Sequence, residues 1–394
     1  MTKSVCSAVH HGVCITAYGA VNPCCSSSDF VHVNDIDNIK DYFYNSQILN
    51  EARQVELSDQ WLEECKACKN KKEKGIVSRK DKMDLWYPFA DKTFTENNKY
   101  AIIHMDISFG NSCNQKCIMC NSLFSSQWLK DDIEMLSAAP DIRNWKSEIK
   151  LSNWSLSYEH LDQIVDLISE HTRKIEIKGG EPLYDKRFSY FVEKAIAKNP
   201  EIRFSTNTNG THFNKKNIDM LNQIKNLNID VSIDGTGKVF EWIRNWDWDD
   251  VVENFHNCMR EVDHHPNLNY TTMVYNVDHI EEFYNWAASI SHQYSRGIAC
   301  NFTQIVTSPR HLSPEYASKE RLKNSLKQIE KVITDPEGIC THNKIFKPRL
   351  EILHSFIKNC LDKKTDENFY KDFEKTHEYM VKLRGWDLRD YVNL

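Results

Sequence analysis

The chain has 394 residues, 40% apolar and 11% aromatic, with 12 Gly and 10 Pro, a composition that excludes collagen-like, low-complexity and generally disordered chains and allows a buried core. Fifty basic against 56 acidic side chains give a formal charge of −6, which offers no broad cationic footprint for nucleic acid or an anionic membrane. No stretch approaches the ~20 apolar residues that span a bilayer, and the start MTKSVCSAVHHGVC lacks the apolar core of a secretory signal, so a cytoplasmic protein is expected.

Residues 1–75 read as a small Cys-rich module with one helix over DNIKDYFYNSQILNEAR. Nine of the 13 cysteines are clustered: Cys6, Cys14, Cys24 and Cys25, then Cys65 and Cys68, then Cys113, Cys117 and Cys120. In a reducing compartment such clusters point to metal before disulfides. Residues 76–99 are expected to connect, with the polar and basic KNKKEKGIVSRKDK as a solvated loop. Over residues 100–306 six β-rich runs (AIIHMDIS, KIEIKGG, EIRFSTNTNG, NIDVSIDG, LNYTTMVYN and IACNFTQIV) alternate with amphipathic helical segments. Strict alternation predicts an α/β fold with a parallel sheet and right-handed crossovers, either a partly closed barrel or an open doubly wound sheet. Ligands then belong at the carboxyl ends of the strands. Residues 307–394 read as charged helices.

Cys113-Asn-Gln-Lys-Cys117-Ile-Met-Cys120 follows the first of the six strands directly. No Cys or His lies close enough after Cys120 to close a tetrahedral zinc site locally, whereas three thiolates on a cubane of four irons leave one iron open. A zinc site completed from elsewhere in the chain is the alternative. Gly179-Gly180-Glu181-Pro182 ends the KIEIK strand. Its glycines let backbone approach a ligand, Glu181 can accept from an ammonium group and Pro182 fixes the turn; an ordinary strand-to-helix turn has the same look. Near the amino terminus, Cys6 is followed by twelve residues, Gly19, four residues and Cys24, and later by Cys65-Lys-Ala-Cys68. Two pairs of thiols suit a closed site for zinc or for an iron–sulfur cluster. Cys25 is an alternative to Cys24, and Cys14 reads as a core thiol. The pairs His10-His11 and His264-His265 are expected on surface loops. Trp242, Trp246 and Trp248 suit either a substrate pocket or helix packing, with packing favoured.

With the CxxxCxxC and GGEP motifs on successive strands, residues 100–306 resemble the radical S-adenosylmethionine (SAM) enzymes. Ser205-Thr-Asn207-Thr-Asn209-Gly210 and Ser232-Ile-Asp234-Gly235, with Arg244 beyond, look like the third and fourth strand ends of the members bearing auxiliary clusters. The resemblance implies a partial (β/α)6 barrel. It implies a 4Fe–4S cluster on Cys113, Cys117 and Cys120, with SAM chelating the open iron through its amino and carboxylate groups. One electron, from a donor such as flavodoxin or ferredoxin, would split the sulfonium into methionine and a 5'-deoxyadenosyl radical that takes hydrogen from substrate. By the same resemblance Glu181 and the Gly180 backbone take the SAM amino group, Ser205 and Asn207 its ribose and carboxylate, and Ser232 and Arg244 its carboxylate. Met119 departs from the aromatic residue that many members carry before the last Cys.

The amino-terminal cysteines resemble a twitch (half-SPASM) module, which implies an auxiliary 4Fe–4S cluster on Cys6, Cys24, Cys65 and Cys68. Here the module precedes the barrel, whereas better-known examples follow it, so the relation of the two sites is left open. Many members with auxiliary clusters act on peptides, and a peptide or protein substrate is the favoured expectation, although no segment is free to form a separate winged-helix leader-binding domain. Radical oxidation or rearrangement of a small molecule such as a sugar or nucleotide is the second reading, and a non-catalytic zinc-stabilised binding protein the third. Of the isolated cysteines, Cys300, Cys340 and Cys360 are candidates to return hydrogen to a substrate radical, against the commoner reading of buried inert thiols, which also serves for Cys258.

Overall fold

The computed structural model describes residues 6–58, 60–75, 77–99, 101–138, 153–335, 346–363 and 367–394, so Cys340 lies outside the described residues. The chain forms two interleaved units, the first from residues 1–113, 153–206 and 223–227, the second from residues 114–152, 207–222 and 228–394.

In the first unit, strands β1 (Gly12–Ile15), β2 (Ala20–Asn22), β3 (Val31–His32), β4 (His104–Ser108), β5 (Lys174–Lys178) and β6 (Arg203–Thr208) lie in the order β3-β2-β1-β4-β5-β6. β1, β4, β5 and β6 pair in parallel, with Gly12 opposite His104, His104 opposite Lys174 and Lys174 opposite Arg203. β2 and β3 add antiparallel pairs. The sheet therefore starts within the Cys-rich segment, which the sequence had suggested as a separate small module. β1 is four residues long and buried throughout, too short to show a period, and it covers what would otherwise be the open edge of β4.

The single helix expected over residues 37–53 is two helices, Ile39–Asn45 and Gln47–Leu57. Ser46 breaks them, because its extended backbone (φ −62°, ψ 137°) lets its side chain accept from Leu49 N and cap the second helix. The expected loop is likewise helical over Lys66–Glu73 and Arg79–Trp86. A reciprocal capping box between Ser78 and Asp81 starts the second of these, and Lys80 is buried.

His10 and His11 are also buried, on a short helix Ser7–His11, which corrects the expectation of a surface loop; His264-His265 does lie in a loop, with His265 exposed. His11 Nδ1 donates to the Ala101 carbonyl at 2.7 Å and Nε2 accepts from the Thr95 hydroxyl at 3.0 Å. His104 Nε2 accepts from Arg79 at 3.0 Å and Nδ1 meets the Tyr87 hydroxyl at 2.9 Å. Both rings are neutral in these bonds, and burial lowers the pKa of His11 to about 4 and of His104 to about 3. A histidine depressed below its unfolded value takes up its proton more readily in the unfolded chain, so stability falls as pH drops below about 6.5. At pH 5 the expected loss is roughly 2 kcal/mol per ring relative to pH 7. It is read from urea midpoints and should be smaller in His104→Gln; equal midpoints at the two pH values would remove the argument.

In the second unit β7 (Asn226–Ser232), β8 (Pro266–Thr272) and β9 (Ala299–Ile305) pair in parallel, with helices Trp248–Glu261 and Ile280–Tyr294 as crossovers. All six predicted strands are present, and the fold class is mixed α/β with a parallel sheet, consistent with a partial (β/α)6 barrel. Helices Lys319–Thr334, Phe346–Asp362 and Glu367–Arg384 follow. Trp242 is fully buried against Tyr275, His377 and Trp386, while Trp248 packs on Phe240 and Trp286, so these rings serve packing. Cys258, Cys300 and Cys360 are buried thiols, as Cys14 is in the first unit.

Candidate functional site

At the end of β5, Gly179 (φ 77°) and Gly180 (φ 59°) take left-handed backbone. A Cβ on Gly180 would lie 2.1 Å from the Ser112 carbonyl oxygen, and one on Gly179 would lie 2.5 Å from the Ser108 side chain. Only glycine lets this turn rest on the segment leading to Cys113. The contact is locked by Glu181 N donating to the Ser112 carbonyl at 2.8 Å. Glu181 is 1% exposed, with Oε1 accepting from Leu183 N at 3.0 Å, and Pro182 is buried beside it.

The β4 and β5 strands carry a charged set on the same unit. Lys178 Nζ lies 2.9 Å from both Asp106 Oδ2 and Glu176 Oε2, Lys174 pairs with Glu176, and Arg79 Nη2 lies 3.8 Å from Glu176. Burial would raise the Glu176 pKa, but Lys178 and Lys174 outweigh it and hold the carboxyl below its usual range. Ser205 stands opposite Glu176 in the β5–β6 register.

Cys113 closes the first unit and is buried, and Cys117 and Cys120 belong to the second. Three successive carbonyls of this loop are held by side chains of the second unit. Gln115 O accepts from Ser125 Oγ at 2.6 Å, Lys116 O from Arg384 Nη2 at 2.6 Å, and Cys117 O from Trp128 Nε1 at 2.9 Å. Ile118 N donates to the Ile243 carbonyl at 2.8 Å, and Asn209 Nδ2 donates to Asn114 Oδ1 at 2.8 Å. Asn209 of the third strand-end motif thus fastens the Cys loop, while Asn207 and Ser232 are half-buried at the ends of β6 and β7.

Arg244 ends a helix, Gly237–Arg244, that the sequence did not predict. Its Nη2 lies 2.6 Å from Asp234 Oδ2, and its Nη1 lies 3.7 Å from Cys117 Sγ. Asp234 is wholly buried and also accepts from Thr271 N at 2.7 Å. Arg244 Nε is buried with no hydrogen-bond partner. Burial pushes the Cys117 thiol pKa up and Arg244 pulls it back. A buried thiol facing a guanidinium with an unused donor fits a sulfur-rich anionic group.

In the first unit Cys6, Cys24, Cys65 and Cys68 line one cavity, together with Glu56, Arg79 and Lys80. Cys6 N donates to Glu56 Oε1 at 2.9 Å. Burial pushes the Cys6 thiol to about 11 and the Cys65 thiol to about 12, so metal binding there would release protons. Two cations beside four thiols suit an anionic thiolate cluster. Cys25, the alternative to Cys24, lines a second cavity with Cys14, His104 and Asp106, and Cys24 lines both. Among the described residues no three Cys, His, Asp or Glu side chains stand close enough together to hold a single metal ion. No described helix is long and apolar enough to cross a membrane.

Several residues of these groups escaped the sequence reading. Arg79 and Lys80 lie in a segment whose composition resembles a solvated loop, and Arg384 lies about 270 positions from the loop it holds, a gap no periodicity bridges. Asp234 was visible only as part of a strand-end motif.

No curated protein matches the chain in sequence. Among solved structures it is similar to a tagged anSMEcpe with bound AdoMet, at 16% identity and a TM-score of 0.41, over 59% of this chain and 60% of that one. It is similar also to Streptococcus suis SuiB bound to S-adenosylmethionine, at 14% identity and a TM-score of 0.41, over 75% of this chain and 63% of that one. The chain thus spans less than two thirds of the length of these two proteins. The family model of the Radical SAM superfamily matches residues 107–287, a span that runs from the end of β4 through the Cys loop to the crossover after β8. Residues 107–287 are therefore a radical SAM domain.

Proposed function

We propose that this protein is a radical SAM enzyme that binds SAM at a 4Fe–4S cluster on Cys113, Cys117 and Cys120, and that it modifies a peptide or protein. The observation that carries the reading is the Cys loop itself, inside the matched domain, with the buried Cys117 thiol facing the Arg244 guanidinium. When bound, the cluster and SAM supply a one-electron cleavage of a sulfonium that makes hydrogen abstraction from unactivated carbon possible.

The chain's own residues bind and orient. The glycine turn offers open backbone at Gly179 and Gly180, where the SAM amino group would be taken by the Gly180 carbonyl and the Glu181 carboxylate. Ser205, Asn207 and Ser232 supply short polar groups at strand ends for the ribose and carboxylate. The paired charges of Asp106, Glu176, Lys174 and Lys178 suit a charged or strongly polar substrate group, as a peptide side chain provides, better than an apolar one. Cys6, Cys24, Cys65 and Cys68 would hold an auxiliary 4Fe–4S cluster, with Arg79 and Lys80 balancing its charge. A flavodoxin or ferredoxin would deliver the electron.

Anaerobic reconstitution tests this directly. About eight irons per chain are expected for two such clusters, together with dithionite-dependent release of 5'-deoxyadenosine from SAM. About four irons with one zinc would remove the auxiliary cluster and leave the radical site, whereas no SAM cleavage at full iron loading would overturn the enzyme reading. Deuterium passing from labelled peptides into 5'-deoxyadenosine identifies the substrate; label from sugars or nucleotides alone would replace the peptide reading by the small-molecule one.

A further inference from the structure

We infer that Arg244 is a positioning residue for Cys117, and that the Asp234–Arg244 pair sets the reduction potential of a cluster held on that thiolate. The inference rests on the reading that Cys113, Cys117 and Cys120 carry a 4Fe–4S cluster, and gives Arg244 a role other than binding the SAM carboxylate.

The geometry is that of a relay of fixed charges within the second unit. Asp234 follows β7 and is held on two sides: its Oδ1 accepts from Thr271 N at 2.7 Å and its carbonyl accepts from Asn276 Nδ2 at 2.8 Å. Its Oδ2, 2.6 Å from Arg244 Nη2, leaves the guanidinium little freedom. Nη1 then faces Cys117 Sγ at 3.7 Å. Two of the three guanidinium nitrogens are committed, and the third, Nε, is buried without an acceptor. An arginine whose only need was to neutralise Asp234 would satisfy that need with its fork and leave the thiol alone.

Cys117 has a particular reason to need this cation. Its Sγ lies 3.9 Å from the Arg244 carbonyl, at the carboxyl end of helix Gly237–Arg244, and the Ile118 amide donates to the preceding carbonyl, Ile243 O, at 2.8 Å. The Arg244 carbonyl oxygen and the negative end of the helix dipole oppose a thiolate there. The side chain of the same residue whose backbone opposes the charge supplies the charge that offsets it. Hydrogen bonds to sulfur and net local charge are among the main protein controls on cluster potential, and such outer-shell partners orient the ligand as well.

The sign of each perturbation follows. Arg244→Gln removes a cation and weakens the N–H to sulfur bond, which disfavours the more electron-rich reduced state and moves the midpoint to more negative potential. Asp234→Asn keeps shape and removes the anion that balances Arg244, so the thiolate feels a less compensated cation and the midpoint moves to more positive potential. The double variant removes both charges without leaving a buried orphan carboxylate, and its midpoint should lie below that of the wild type. A role confined to packing would move the two single variants the same way or not at all.

The full chain is reconstituted anaerobically without SAM or substrate, and the EPR signal absent from Cys117→Ala is titrated against potential, with iron counted in parallel. Opposite shifts for Arg244→Gln and Asp234→Asn at wild-type iron content are expected. If Arg244→Gln does not fold or loses iron, the positive shift of Asp234→Asn and the negative shift of the double variant decide. Same-signed or absent shifts in iron-loaded protein overturn the inference and leave the SAM enzyme reading intact. A wild-type protein with no Cys117-dependent signal overturns the cluster reading beneath it.

Discussion

Cys117→Ala should lose about four irons per chain and all reductive cleavage of SAM, while keeping its fold and its other irons. In the proposed site Cys117 is one of only three protein ligands to a four-iron cluster, so its loss opens a second iron to solvent and the cluster is not retained. The loop around it does not depend on the thiol. Ser125, Arg384 and Trp128 hold the carbonyls of residues 115, 116 and 117, and Ile243 takes the amide of residue 118. Deleting one buried sulfur costs of order 1 kcal/mol in packing, and the circular dichroism spectrum should not change. Cys65→Ala should do the converse, losing the other four irons and blocking turnover while some SAM cleavage without substrate survives. Identical losses in the two variants would show that the sites are not the separate centres proposed here.

Gly180→Ala should be the most damaging single methyl group in the first unit. The new Cβ would lie 2.1 Å from a backbone oxygen, Ser112 O, which cannot swing away as a side-chain tip can. The left-handed φ of 59° adds its own strain for any residue with a Cβ. Together these should destabilise the protein by roughly 2 to 4 kcal/mol and shift the Glu181 turn away from Ser112, weakening SAM binding at least ten-fold. Gly237→Ala is the control. Gly237 has a similar φ of 50°, yet a Cβ there meets nothing within 4 Å, so only the backbone strain remains, about 1 kcal/mol. Denaturant midpoints separate the two. Equal destabilisation would mean that the contact with Ser112 O carries no energetic weight and that the close fit of the turn to Ser112 is not what the double glycine provides.

The six parallel strands were legible in the sequence because each is a compact β-rich run, most of them ended by Gly, Asn or another polar residue, with helical segments between them long enough to show a period. The Cys loop and the glycine turn were legible for a different reason. They are local, and every residue that forms them lies within a few positions of the next. β1 to β3 were not legible, since strands of two to four residues show no alternation. The helix Arg79–Trp86 was hidden by its charge: five of its eight residues, RKDKMDLW, are charged, and nothing in that composition says that Lys80 is buried beside the cavity of Cys6 and Cys68.

By itself, then, the sequence determined the α/β class, the strand order along the chain and the residue types offered at the strand ends, because local propensity and short-range spacing set these. The tertiary structure alone decided which groups meet. Arg244 is separated from Cys117 by 127 positions and Arg384 from Lys116 by 268; Cys6 packs in one apolar cluster with Ala8, Val9, Met83 and Tyr87, against which Cys65 lies, and Cys68 lines the same cavity as Cys6 and Cys65. Such pairings follow from burial and chain crossing, which no window of sequence contains. For the same reason His11 reversed its expected place: an imidazole reads as polar in a sequence, but a neutral ring with both nitrogens bonded can be buried without leaving a polar atom unsatisfied.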